Sequence, residues 1–364
     1  MIHGHGGNIF QAARNLGCRP EDILDMSSNF NPLGSAPGLM DQLHASLGTI
    51  NNLPEVDAGH LAQCYARVHG CLPGQVLAGS GTTQFIYQLP RALGSRRAVI
   101  CGPTYADYQD ACVQQQAQVT FVMATAESDF QPDLHQVATA ARQADLVFIC
   151  NPNNPTGTLW RPGEIEDLAR AHGDTWIVVD ESYLPMALNG DRESLISKVP
   201  ADLPNVIVLD SCSKIYRIPG LRIGFLKAAE AVIERVRTLA MPWSVNSLAL
   251  AAGEYLVARH PELRGFIQTT RRFLEEQKRA ITNGLARING LKIFPSHASY
   301  LLLRLPEPRT SAEVCDKLLA QRILIRDCAN FAGLSQRYVR VSLKDAQANQ
   351  TFVARFREVL NVPV

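Results

Sequence analysis

Ser211-Cys212-Ser213-Lys214 stands directly after the apolar run Val206-Ile207-Val208-Leu209, and Pro219-Gly220-Leu221-Arg222-Ile223-Gly224 follows it. The run reads as a buried strand, so the lysine sits just beyond a strand end. Its amine has hydroxyls on the N-terminal side and a guanidinium eight residues on. A phosphorylated aldehyde needs both kinds of group: a nucleophile for the carbonyl and donors for the phosphate. A surface lysine laying its stem over apolar atoms is the plain alternative, and the flanking serines and Arg222 weigh against it. Val178-Val179-Asp180-Glu181-Ser182-Tyr183 is a second apolar run, ending in a carboxylate. Half-buried, that charge is costly unless it meets a cation, and a protonated pyridine nitrogen is such a cation. Together the two segments read as a site for pyridoxal 5'-phosphate. Burial beside cations lowers the lysine's pKa and makes it a free amine near neutrality.

Other segments add candidates. Asn151-Pro152-Asn153-Asn154-Pro155-Thr156-Gly157 is a rigid turn after a strand, whose amides satisfy the backbone or face a ligand. Asn154 and Tyr183 are candidate donors to the cofactor's 3' oxygen, although a packed tyrosine is an equal reading of Tyr183. Gly79-Ser80-Gly81-Thr82-Thr83-Gln84 is a poor dinucleotide fingerprint, because Gln84 stands where the last glycine belongs. It suits a helix N-terminus holding one phosphate. Tyr105 opens a helix and either stacks on the ring or belongs to the core. His5, bracketed by glycines, suits an anion; metal capture by His3 and His5 would be incidental. Arg326 and Arg340 each follow an apolar stretch and form a possible pair of anion clamps.

These residues need a frame. The 364 residues are 46% hydrophobic and 19% charged with a net charge of +1, which describes a packed globule of more than one core. Basic and acidic residues are interspersed, so no nucleic-acid or anionic-membrane face is expected. No run is long enough to span a bilayer. The nine scattered cysteines have no metal-type spacing and are expected to be reduced. Without a secretory-type start, a cytoplasmic location is expected.

Strands at Ala98–Cys101, Val119–Met123, Leu146–Cys150, Trp176–Asp180, Val206–Leu209 and Arg222–Leu226 alternate with helices at Thr104 to about Gln116 and about Gly163 to Ala171. That alternation predicts an α/β fold with a mostly parallel sheet. Its chemistry belongs at the C-terminal strand ends, where Asn151, Asp180 and Lys214 fall. After Leu263 a charged helix, antiparallel strands at Leu291–Phe294 and Tyr300–Leu305, a helix near Ser311–Leu319 and strands near Ile323 and Tyr338 predict a small α+β unit. The division expected is 1–45 as an N-terminal arm and part of the small domain, 46–262 as the large domain and 263–364 as the small one.

Asn153-Asn154-Pro155-Thr156-Gly157, Asp180-Glu181-Ser182-Tyr183, Ser211-Cys212-Ser213-Lys214 and Gly220-Leu221-Arg222-Ile223-Gly224 resemble the fold-type I pyridoxal-phosphate enzymes of aminotransferase class I/II. Within that group, four further segments are similar to the L-threonine-O-3-phosphate decarboxylases of cobalamin synthesis. They are His5-Gly6-Gly7-Asn8, Ser27-Ser28-Asn29-Phe30-Asn31-Pro32-Leu33-Gly34, Met241-Pro242-Trp243-Ser244-Val245-Asn246 and the stretch 322–330. The histidinol-phosphate aminotransferases share the middle of the chain and are the alternative. The resemblance implies a seven-stranded sheet and a decarboxylase of phosphorylated amino acids, with L-serine O-phosphate as another possible substrate. It implies that Lys214 forms the Schiff base, Asp180 pairs with the ring nitrogen, and Asn154 and Tyr183 bind the 3' oxygen. Ser211, Ser213, Arg222, Gly81 and Thr82 would hold the cofactor phosphate, with Tyr105 on the ring. His5, Gly6, Asn29, Asn154, Arg326 and Arg340 would hold substrate. It also implies a homodimer, but Leu53-Pro54 stands where many relatives place a tyrosine that reaches the neighbouring subunit's cofactor.

Overall fold

The computed structural model describes residues 8–199 and 201–361. A short strand β1 (Leu24–Asp25) precedes a seven-stranded sheet made of β2 (Val76–Gly79), β3 (Arg97–Gly102), β4 (Gln118–Met123), β5 (Leu146–Cys150), β6 (Trp176–Asp180), β7 (Val206–Ser211) and β8 (Gly224–Lys227). Its order is β2-β8-β7-β6-β5-β3-β4. The pairs from β7 to β4 are parallel, and β8 runs antiparallel to both its neighbours. β5 and β6 are apolar at nearly every position because helices cover both faces. Phe148, Val178 and Ile207 enter one core layer, and their neighbours Val147, Ile177 and Val208 enter the other.

Two elements differ from expectation. The helix expected from Thr104 runs from Asp107 to Gln114. Thr104 Oγ1 instead donates to Asn153 Oδ1 at 2.6 Å, which keeps Thr104 and Tyr105 in a loop, and left-handed Gln116 (φ 58°) ends the helix. The last strand begins at Gly224 rather than Arg222, because Arg222 is itself left-handed (φ 60°) and closes a turn. Its guanidinium is thereby freed from the sheet.

The small unit is an antiparallel sheet of β9 (Lys292–Ile293), β10 (Tyr300–Arg304), β12 (Arg326–Asp327) and β13 (Tyr338–Ser342), in the order β12-β13-β10-β9. β11 (Ile323–Leu324) pairs in parallel with β1. Helices His260–Leu285, Ser311–Ala320 and Ala346–Val359 bury Leu274, Ile281, Val314, Phe352 and Phe356 against it. We propose the division 1–45 as arm, 46–262 as large domain and 263–364 as small domain, the last three residues lying outside those described.

Residues 26–31 form a strap between them. Ser342 N donates to Met26 O at 2.7 Å, on the small sheet, while Asn31 N donates to Lys214 O at 3.0 Å, on the large domain. Asn31 Nδ2 also donates to Ile215 O and Thr270 Oγ1 at 2.8 and 3.0 Å. The arm therefore touches both units, which periodicity alone left undecided.

Candidate active site

Gly81, Thr82, Tyr105, Asn154, Asp180, Tyr183, Ser211, Ser213, Lys214 and Arg222 line one cavity of about 100 Å³ at the C-terminal ends of β5, β6 and β7. One end is built for an anion. Gly81 (φ 78°) caps the helix Thr82–Ala92 without any side-chain cap, so the first-turn amides point outward. A Cβ on Gly81 would come within 2.7 Å of Arg222 Nη2, and a Cβ on Gly224 within 2.8 Å of the Thr82 amide nitrogen. Only glycine permits that close approach. The side chain of Gln84 accepts from Ser80 N at 2.7 Å, buttressing the turn. Ser211 Oγ accepts from Ser213 N at 3.2 Å, while Ser213 Oγ is buried with no partner among the described residues. An orphaned hydroxyl beside a guanidinium and a helix N-terminus fits a phosphate.

The same cavity also carries Asp180. Its carboxylate is 5% exposed, accepts from Tyr108 Oη at 2.9 Å and from Ser182 N at 3.0 Å. Burial raises its pKa, against the opposing effects of those hydrogen bonds and of Lys214. A buried carboxylate in that condition fits a protonated pyridine nitrogen. Tyr108 stacks on Phe148 (5.0 Å, 15°) and meets Tyr105 edge-on (5.7 Å, 85°). The anion-binding groups, the carboxylate and the lysine of this one cavity therefore match pyridoxal phosphate.

Lys214 belongs to the short helical turn Cys212–Ile215 after β7. Burial lowers its pKa to about 8, helped by Arg222 and Arg340 and opposed by Asp180. Its Nζ lies 4.9 Å from the Phe30 ring centroid and 5.9 Å from that of Tyr183.

In the turn after β5 the asparagines divide the work. Asn151 and Asn153 satisfy backbone, Asn151 Nδ2 donating to Trp160 O at 3.2 Å and Asn153 Nδ2 to Pro103 O at 2.8 Å. Asn154 alone of the three faces the cavity, and its Oδ1 accepts from Arg340 Nη1. Arg340 and Arg326 are Cα partners across β13 and β12, so their side chains leave one face side by side. Buried Arg340 also donates Nη2 to Ser27 O at 2.7 Å and lies over the Tyr300 ring, while Arg326 lies over Phe331. Asn29 Nδ2 donates to Tyr183 Oη at 3.4 Å and its Oδ1 accepts from Ser342 Oγ at 2.5 Å. His5 and Gly6 lie outside the described residues.

Sequence reasoning missed Tyr108, Ser182, Phe30 and Lys344. Tyr108 and Ser182 follow Tyr105 and Asp180 closely in the chain, but only the fold shows their contacts. Lys344 Nζ donates to Ser28 O at 2.9 Å and is brought to a pKa of about 8, chiefly by burial. Among the described residues no His, Cys, Asp and Glu group is arranged for a metal ion, and no helix is long and apolar enough to cross a membrane. All nine cysteines are free, five of them buried.

The aminotransferase class I and II profile matches residues 21–356. Threonine-phosphate decarboxylase of Salmonella typhimurium is 35% identical over 98% of this chain and 96% of its own. A histidinol-phosphate aminotransferase from Symbiobacterium thermophilum is 30% identical over 98% and 95%. The solved L-threonine-O-3-phosphate decarboxylase from Porphyromonas gingivalis superimposes with a TM-score of 0.80 at 30% identity, covering 93% of this chain and 100% of that one. With the lysine, the carboxylate and the phosphate cup in one cavity, the chain belongs to the aminotransferase class I and II family and is a fold-type I, pyridoxal-phosphate-dependent enzyme.

Proposed function

We propose that the enzyme decarboxylates L-threonine O-3-phosphate to (R)-1-amino-2-propanol O-2-phosphate and carbon dioxide, the step that supplies the aminopropanol linker of cobalamin. The observation that carries this reading is the pair Arg326 and Arg340, opposite each other in register, with Arg340 bonded to the cavity-lining Asn154. Two guanidiniums on one face suit a substrate with two anionic groups, a carboxylate and a phosphate. Histidinol phosphate offers a phosphate and no carboxylate, and only the 2-oxoglutarate that transamination also needs would fill both positions. The aminotransferase relative at 30% identity keeps transamination as the second reading.

Bound pyridoxal phosphate supplies an electron sink for a bond breaking at the substrate's Cα. Lys214 would provide the amine that captures the cofactor aldehyde, and Asp180 would hold the ring nitrogen protonated. Ser211, Ser213, Arg222, Gly81 and Thr82 would grip the phosphate, Tyr105 would face the ring, and Tyr183 and Asn154 would bind the 3' oxygen. Arg340, Arg326 and Asn29 would anchor the substrate's anions. Their task is orientation: the bond that stands perpendicular to the ring is the one that breaks, and fixing two anions selects the Cα–carboxylate bond. Asn154, bonded to Arg340, links cofactor and substrate anchors. Lys214 then holds the proton that Cα receives.

The test is a parallel assay of threonine phosphate, serine phosphate, and histidinol phosphate with 2-oxoglutarate. Stoichiometric carbon dioxide from threonine phosphate supports the reading; glutamate from histidinol phosphate without carbon dioxide defeats it. Arg340→Met should raise KM for threonine phosphate by about 100-fold, as loss of a buried charge-assisted pair does, while cofactor absorbance persists. An unchanged KM would remove Arg340 from the substrate site.

The free amine of Lys214 is its reactive form, and its pKa is about 8. Capture of pyridoxal phosphate by cofactor-free protein should therefore slow about tenfold for each pH unit below that value. A stopped-flow rate flat from pH 6 to 8 would contradict the assignment.

We propose a homodimer through Leu47, Ile50, Leu53, Val56, Met241 and Trp243, all exposed apolar residues. Trp243 N donates to Val56 O at 2.8 Å, which joins the two segments into one patch. Leu53, 74% exposed, would pack there rather than donate a hydrogen bond across. Leu53→Glu is expected to shift the sedimentation coefficient toward monomer; an unshifted dimer would place the interface elsewhere. With no membrane-crossing helix among the described residues, we propose that the enzyme works in the cytoplasm on a small-molecule phosphorylated amino acid.

A further inference from the structure

When bound, the cofactor would take up the electron pair left by the Cα–carboxylate bond, so that a proton could be returned at either of two carbons. A proton returned to Cα yields the amine product and the cofactor at its aldehyde oxidation level. The same proton returned to the other carbon, followed by water, yields an aldehyde product and an aminated, inactive cofactor. Keeping the cofactor at its aldehyde level therefore requires that the amine delivering the proton be confined.

We propose that Phe30 is the positioning residue that confines Lys214 and directs its proton to Cα. The inference rests on the decarboxylase reading above. The Phe30 ring centroid is 4.9 Å from Lys214 Nζ, and the Tyr183 centroid, 5.9 Å away, provides a second aromatic wall. An ammonium is attracted to an aromatic face within about 6 Å, so these rings give it a preferred place rather than free reach. The plate is fixed to the group it steers. Asn31, the next residue, donates its backbone N–H to Lys214 O at 3.0 Å and its side chain to Ile215 O at 2.8 Å. Phe30 N donates to Ser28 O at 3.2 Å, and Asn29 is bonded to Tyr183 and Ser342. Phe30 therefore keeps its station relative to both the lysine turn and the substrate end. Nothing in the residue's own chemistry moves a proton.

The experiment compares wild type, Phe30→Leu and Phe30→Tyr as holoenzymes turning over threonine phosphate with no 2-oxo acid added. The ratio of aldehyde product to amine product, and the growth of aminated-cofactor absorbance, are read per turnover, so partial loss of folded protein does not affect them. Phe30→Leu keeps the site apolar without the ring's charge distribution; its abortive fraction should rise about threefold to thirtyfold. Phe30→Tyr should restore the wild-type ratio. In cofactor-free protein, the pH midpoint for pyridoxal-phosphate capture should fall in Phe30→Leu, because the ammonium loses its aromatic partner. A wild-type ratio and an unshifted midpoint in Phe30→Leu, while wild type releases carbon dioxide, would overturn this inference and leave the function intact. Wild type that releases no carbon dioxide from threonine phosphate would overturn both.

Discussion

Lys214→Ala is expected to lose turnover by about 10⁴-fold or more, the scale seen when a covalent nucleophile is removed, and to lose the long-wavelength absorbance of the lysine-linked cofactor. The phosphate cup does not depend on this side chain: Ser213, Arg222 and the helix N-terminus at Thr82 hold their positions through separate contacts. Cofactor binding should therefore persist, noncovalent and weakened, with the spectrum of the free aldehyde. Folding should not suffer, since burial of the ammonium is a cost that alanine removes. A variant with wild-type absorbance and rate would show that another amine carries the chemistry.

Asp180→Asn is expected to separate activity from stability. At Asp180, burial raises the folded pKa above the unfolded value. The folded chain thus holds more protons than the unfolded one between those two values, and this residue's contribution to stability falls as pH rises through that window. Above that window the cofactor-free protein bears the full cost of an ionised, buried carboxylate. Asparagine removes the charge while its Oδ1 can still accept from Ser182 N and its amide can donate to the Tyr108 hydroxyl oxygen, groups now 3.0 and 2.9 Å from the carboxylate. The cofactor-free variant should melt about 2–4 °C higher at pH values above that window, with the difference shrinking as pH falls through it. Its kcat should drop by about 10²-fold or more, because the ring nitrogen loses the partner that keeps it protonated. Calorimetry and steady-state kinetics on the same preparation decide the matter. A melting point that falls while kcat holds would place the carboxylate in a structural role.

The strands were legible because sheet strands covered on both faces must be apolar throughout. Leu146–Cys150 and Trp176–Asp180 begin and end where the apolar runs do. Lys214 and Asp180 were legible for the same reason, since a polar residue at the end of such a run stands out. The edges of the fold were less so. Strand β1 is two residues long and pairs with Ile323–Leu324 across 299 positions of chain, so no local pattern announces it. Arg222 reads as the start of a strand because Arg222–Leu226 is mostly apolar; only its left-handed backbone takes it out of the sheet and toward Gly81. Tyr108 reads as an ordinary helical tyrosine, and its bond to Asp180 depends on how the helix Asp107–Gln114 brings that side chain onto Phe148 and Asp180. Phe30 sits in an Asn- and Pro-rich turn, and its place over Lys214 comes from Asn31 gripping the lysine's own turn.

Reduction of the holoenzyme with borohydride, followed by peptide mass mapping, tests the core of the account most directly. It predicts one modified peptide, containing residues 211–217, with the reduced cofactor's mass on Lys214 and none on Lys227 or Lys344. Cofactor mass on any other lysine, or none anywhere in protein shown to be loaded before reduction, would contradict it.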